Sequence, residues 1–337
     1  MSDPLPTFAH LRRLTDVGGL YEHALGTQIR REHGYCLDDA ARALVVVCRE
    51  GEQFGQYDDL RELYLRFVLS AQAPDGRFRN RRNEDLRWID EATTEDCWGR
   101  ALWGLGTAIS HGLPAPLSGA ALSAFELGAR WRSPWPRAMA FAALGAADVL
   151  IARPGHEGAR SLLRAAARSI GAVPEQTSWP WPEPRLTYAN AALPDALLAA
   201  GSALGDASLV EDGIVGLGWL LDLQTRDGHL SVVPAGGRGQ DDVGPGFDQQ
   251  PIEVAVLADA CARAYALTGQ RRWARGIELA AAWFLGANDV GMPLIDADSG
   301  GGCDGLEHDG RNENQGAEST LALISTMQHS RSFARCA

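Results

Sequence analysis

Six stretches of this chain are rich in Ala and Gly and nearly free of charge after their first turn. They are DDAARALVVVC (38–48), EDCWGRALWGLGTAIS (95–110), PRAMAFAALGAADVL (136–150), NAALPDALLAAGSAL (190–204), PIEVAVLADACARAYAL (251–267) and QGAESTLALISTM (315–327). A helix that is small and apolar all round has to be buried on most sides. Between these stretches lie amphipathic ones at 58–72, 118–132, 155–171, 208–224 and 271–286, with apolar residues at three- and four-residue steps. The buried starts are separated by about 41 to 64 residues, room for a helical hairpin and a loop. Six buried helices alternating with exposed ones predict an (α/α)6 toroid, with six inner and about six outer helices and short β segments in its loops. The regular period favours one such domain over 1–337 rather than two.

Local punctuation agrees. Pro136 and Pro251 suit the first helical position. Pro194 falls a turn into its stretch, so that helix should begin later than 190. QAPDGRF (72–78) and QTRDGHL (224–230) share Q-x-x-D-G-x-apolar just after an outer helix, a tight turn feeding a short strand.

The apolar fraction of 45% allows a large core, and 22% charged residues argue against disorder. A net charge of −12 repels phosphate backbones and anionic membranes, so nucleic acid and membrane surfaces are excluded as expected partners. No uncharged run is long enough to span a bilayer. MSDPLPTFAHLRRL lacks the basic and apolar regions of a secretory signal, so a cytoplasmic protein is expected. The six cysteines form no CxxC pair and read as reduced, buried thiols.

Chemistry-bearing residues gather where the inner helices begin. The first brings Tyr35, Asp38 and Asp39; the second Thr94, Glu95, Asp96 and Trp98; the third Trp135 and Arg137. Ahead of the fourth stand Trp179, Trp181, Glu183, Tyr188 and Asn190. The fifth has Asp248, Gln249, Gln250 and Glu253, and the sixth Asn312, Glu313, Asn314, Gln315 and Glu318. In a toroid all six starts point to one end, so these residues would converge on one funnel. Carboxylates, amides and aromatic faces together suit a sugar, whose hydroxyls need hydrogen bonds and whose C–H faces need cover.

Two carboxylates across such a funnel could serve as acid and base of a glycosidase. The second and fifth helices of a six-membered ring face each other, which makes Glu95 or Asp96 opposite Glu253 the expected pair, with Asp38 and Asp39 next. Acids at helix starts are favoured anyway by capping and the helix dipole. What exceeds that preference is their co-occurrence at four of six inner starts. One of Asp38 and Asp39 should face the funnel while the other caps.

DADSGGGCDGLE (296–307) partly matches a calcium loop, but Gly300 replaces a ligand and no helix enters it. An acidic loop lining the funnel is the expectation, with no metal and no cofactor. No zinc, Walker, Rossmann or GxSxG motif is present. His33 and His308 sit in loops that would suit an epimerase.

HGYCLDDAARAL, TEDCWGRALWGLG, WPWPEPRLTYANAALPDALL, FDQQPIEVAVLADAC and NENQGAESTLAL together resemble the (α/α)6-toroid carbohydrate-active domains found alone or fused to bacterial glycosyltransferases. The resemblance spans about residues 15–328 and implies a glycoside-hydrolase-like toroid. More distantly, the Asp-Asp pair is similar to that of endo-α-mannanases with the same ring. The expected function is hydrolysis of a mannose- or glucose-containing oligosaccharide. Glu95, Asp96, Glu253, Asp38 and Asp39 are its candidate acids and bases. Trp98, Trp181 and Tyr188, with Tyr35 beside them, would supply aromatic contacts; Arg137, Asn190, Gln250, Asn314 and Glu318 would orient hydroxyls. The alternatives are an epimerase or isomerase, and a glycan-binding partner of a glycosyltransferase.

Overall fold

In a computed structural model, residues 8–50, 55–174 and 177–336 are described, the Cys336 side chain excepted. The first seven residues of the expected leaderless N-terminus lie outside them. In chain order the helices are α1 (Ala9–Arg13), α2 (Leu37–Arg49), α3 (Asp58–Ala71), α4 (Asp96–Ser110), α5 (Ala115–Gly128), α6 (Pro136–Ala152), α7 (Glu157–Ile170), α8 (Ala192–Leu204), α9 (Ala207–Gln224), α10 (Pro251–Thr268), α11 (Arg271–Phe284) and α12 (Ala317–Cys336). The even-numbered helices are the six apolar stretches. Each packs on the next, and α12 returns to α2, closing the inner ring. The odd-numbered helices lie outside it, and the five-residue α1 fills the last outer place against α12. The chain folds as an (α/α)6 toroid.

Short antiparallel hairpins decorate the loops: β1 (Thr15–Asp16) with β2 (Gly19–Leu20), β3 (Ala24–Leu25) with β4 (Gln28–Ile29), and β5 (Tyr35–Cys36) with β6 (Arg81–Arg82). Later come β7 (Thr225–Arg226) with β8 (His229–Leu230), and β9 (Gly305–Glu307) with β10 (Gly310–Asn312). The β7–β8 turn is the Asp-Gly of QTRDGHL, with both residues at positive φ, as a two-residue hairpin of this twist requires.

One boundary falls as Pro194 requires, and two others shift. The helix α8 starts at Ala192, which puts Pro194 in the first turn, where a missing N–H costs nothing. Helix α5 runs 115–128 because Pro116 sits in its first turn and Gly128 packs where a side chain would strike Leu102. Helix α12 continues past 327, where Arg331 pairs with Glu50 at 2.9 Å and Phe333 packs on Tyr265.

The closest inner contact, α4 on α6, is made by glycines. A Cβ on Gly106 would lie 2.1 Å from the Gly145 carbonyl oxygen, and one on Gly145 2.1 Å from that of Leu102. Alanine is the better helix former by about 1 kcal/mol, so the sign of a substitution isolates the packing. Gly106→Ala should destabilise by about 1–3 kcal/mol through overpacking. Gly119→Ala, where a Cβ meets open space on α5, should not. Urea midpoints of the two variants check this; equal midpoints would refute the close-packing account.

Candidate active site

The starts of all six inner helices open onto one cavity of about 760 Å³, α8 contributing through the loop before it. Six helix N-termini bring partial positive charge to this end, which favours the carboxylates crowded there. The wall includes Asp38 and Asp39, Glu95 and Asp96, Arg137, Tyr188, Gln250 and Glu318, all expected, and Glu22, His23, Asn80, Arg42, Arg100, Glu183 and Asp304.

The doubled acid of α2 is not a cap shared with a catalyst: both carboxylates line the cavity. Cys36 occupies the N-cap position and offers no side-chain cap. Asn80 does that work from outside the helix. Its Oδ1 accepts the Asp38 N–H at 3.2 Å, and its Nδ2 donates to Asp38 Oδ2 at 2.9 Å. Pairing of β5 with β6, Cys36 opposite Arg81, brings Asn80 there. Asp39 lies deeper, with Oδ1 3.0 Å from Arg42 Nη2. Burial pushes its carboxyl up to about 7, against the pull of Arg42.

Four arginines tie the acids together. Arg42 also donates to Glu318 at 2.5 Å, joining α2 to α12. Glu318 is open to the cavity yet deep in the protein. Burial would raise its pKa, but Arg42 and Arg100 outweigh that and hold it below the ordinary range. Arg100 stacks on Phe141 at 4.3 Å, 3.5 Å from Asp38 and 3.9 Å from Asp96. Arg137 grips Glu183 through two hydrogen bonds of 2.7 and 2.8 Å and donates to the Tyr188 carbonyl. The Tyr188 hydroxyl donates to Asp96 across the cavity, and burial, then Asp96, raises its pKa. Arg81 pairs with Glu22.

Five expected site residues and Glu253 do not line the cavity. Glu253 is 3% exposed and accepts from the Ala189 and Asn190 N–H groups and from Asn190 Nδ2. The late start of α8 leaves Tyr188–Ala191 as a loop over that face of α10, and this loop takes the carboxylate. Gln250 lines the cavity instead. Trp98 turns away because Asp96 and Arg100, one turn apart, occupy the inward face of α4. Its indole N–H donates to the Gly128 carbonyl at 3.0 Å. Trp181 is buried on Trp219, and Asn190 is wholly buried beneath Arg137. Tyr35 stacks on Tyr21 and donates to Asp16 at 3.0 Å. Asn314 accepts the Gly26 N–H at 3.0 Å, fixing the β3–β4 hairpin.

The histidine at the cavity is His23, with His33 edge-on behind it at 5.0 Å. His308 is exposed and pairs with Asp309 at 2.6 Å. In the acidic loop Asp296 holds its own turn by accepting from Ser299 N at 2.8 Å. Asp304 accepts from Gly316 N at 2.8 Å at the start of α12 and lines the cavity. Ligand atoms of Glu22, Cys36 and Asp39 lie within 4.8 Å of one another, but Arg81 and Arg42 already sit against the two acids. Five cysteines are free and buried. No helix among the described residues is long and apolar enough to cross a membrane.

One sequence signal points to two of the missed residues. Arg42 and Arg100 each lie one turn inside an otherwise apolar inner helix, four residues after an acid. A lone charge there has to face a cavity or a partner. Nothing local marks Asn80 or His23.

No family model matches the chain, and no curated relative matches it. Solved structures do. A sugar epimerase from a ruminal bacterium is 13% identical, with a TM-score of 0.73 over 100% of this chain and 97% of that one. Cellobiose 2-epimerase from Bacillus thermoamylovorans is 11% identical, with a TM-score of 0.72 over 97% and 95%. The GH76 α-mannanase of Bacteroides thetaiotaomicron is 12% identical, with a TM-score of 0.66 over 98% and 94%. At these identities the likeness is one of fold. The chain shares the toroid of carbohydrate-active enzymes, hydrolases and epimerases alike.

Proposed function

We propose that the chain is a glycoside hydrolase acting on a mannose- or glucose-containing oligosaccharide by carboxylate acid–base catalysis. One observation carries this: Asp38 and Asp39 stand side by side on the cavity wall in different environments. Asp39 is buried and holds its proton to about pH 7, as a general acid must. Asp38 is oriented by Asn80 and presents its carboxylate as nucleophile or base. Asp96 and the rim residue Glu95, on the next inner helix, are the alternatives for the second carboxylate. Gln250, Arg137 and Glu318 would orient hydroxyls, and Tyr188 would cover a sugar face. The free, buried cysteines suit action in the cytoplasm.

Epimerisation is the second reading. It would rest on His23, the one histidine on the cavity wall among the described residues. A panel of manno- and gluco-oligosaccharides, run in deuterated water, separates the readings. Hydrolysis gives new reducing ends without carbon-bound deuterium; epimerisation gives deuterium uptake and no shortening. Binding without either product would mark a non-catalytic glycan module, such as a glycosyltransferase partner.

A further inference from the structure

Of the ten tryptophans, nine are packed or engaged. The next most exposed, Trp131, is accounted for: its indole N–H donates to the Asp75 carbonyl at 2.7 Å, and the Arg77 guanidinium covers its ring at 5.5 Å. Trp135 is different. It is 57% exposed, stands at the N-cap of α6 and borders the cavity mouth, and among the described residues no aromatic or cationic partner covers its ring.

Its backbone is held on both sides. The Trp135 N–H donates to Ser133 Oγ at 3.1 Å, and its carbonyl accepts from Met139 N at 3.1 Å. Pro136 fixes the next residue. A large flat face is therefore presented on a rigid element at the edge of the cavity. Nearby, Tyr188 also borders the cavity and is 40% exposed, its ring 5.2 Å from the guanidinium of Arg137. The acids Asp38 and Asp39 lie deeper, on α2.

We infer that Trp135 is an outer sugar platform, stacking a hexopyranose unit of the oligosaccharide beyond the unit that reacts. The site thus takes a chain rather than a monosaccharide. This rests on the carbohydrate reading above, not on hydrolysis itself. An apolar ring face matches the C–H patch of a pyranose, while the polar cavity below takes hydroxyls. Removing one such stack is expected to weaken binding by about tenfold.

The test uses Trp135→Ala and Trp135→Phe with gluco- and manno-oligosaccharides of increasing length. Dissociation constants come from calorimetry, and KM and kcat from any substrate that turns over. The platform predicts a rise of about tenfold in Kd or KM for longer chains in Trp135→Ala. That rise should be larger than for the disaccharide, with kcat retained and most of the loss restored in Trp135→Phe. Wild-type tryptophan fluorescence should change on binding, and less so in Trp135→Ala. Chains bound equally well by wild type and Trp135→Ala overturn the platform and leave hydrolysis standing. Length-dependent binding lost in Trp135→Ala without any bond cleavage supports the platform and sinks hydrolysis. Binding of monosaccharides as tightly as chains overturns the inference whatever the reaction.

Discussion

Asp39→Asn lowers turnover by about 10²–10⁴-fold, the usual contribution of a positioned general acid, while the protein stays folded. The amide keeps the size of the carboxyl but cannot give a proton to a leaving oxygen. It also removes a buried acid whose charged form is disfavoured, so stability should hold or rise. The pH profile carries the same claim with a sign. The acid must be protonated in the free enzyme, and burial keeps Asp39 protonated up to about pH 7. Along that limb kcat/KM should be flat below this pH and fall about tenfold per pH unit above it. The limb should be absent from the residual activity of Asp39→Asn. Asp38→Asn should be as inactive, since it removes the partner carboxylate that Asn80 orients. Full turnover in Asp39→Asn with loss in Asp38→Asn would move the acid to Glu95 or Asp96.

Glu253→Ala is expected to be the most destabilising single change near the site, by about 3–5 kcal/mol. Its carboxylate is the acceptor for three donors at the mouth of α8: Ala189 N, Asn190 N and Asn190 Nδ2. Without it these buried N–H groups have no acceptor, and the loop that carries Tyr188 loses its anchor. The pH dependence has a definite direction. Burial raises the Glu253 carboxyl to about 7, despite the donors and Arg137 that favour its charge. A group raised in the folded state stabilises fully below its unfolded pKa, and that contribution is lost as pH rises through about 7. Stability should therefore decline between about pH 4.5 and 7, and Glu253→Gln should flatten the decline. Chemical denaturation at several pH values measures both. A midpoint for Glu253→Ala within about 0.5 kcal/mol of wild type would show that the loop is held by other contacts.

The roles of Asp39 and Glu253 mark where sequence reading stops. Both are acids in the first turn of an apolar inner helix, and both carry the same capping preference. Spacing around a six-membered ring puts Glu253 opposite Asp96, yet the start of α8 two residues later hands Glu253 to a loop. Trp98 and Trp181 show the same limit for aromatics. A tryptophan at a helix start serves a sugar site only if it faces inward, and neighbouring helices decide that. The histidine of the cavity is another such case: His23 reaches it through a hairpin that Asn314 pins from the far end of the chain.

The ring follows from charge patterning along the chain. Six charge-poor helices cannot stay in water, and five amphipathic ones between them can cover only one side, so an inner ring inside an outer one is the arrangement that buries both. The same patterning gathers acids, amides and arginines at one end of the ring, because they cluster at the inner starts. Which of these side chains share the cavity depends on how the helices pack. Adjacent helical residues diverge by about 100°, and a shift of one or two residues in a helix start turns a wall residue into a buried support. Asn80, brought to Asp38 by a two-residue strand pairing across the sequence, takes the capping role at the start of α2 and leaves both aspartates of HGYCLDDAARAL on the cavity wall.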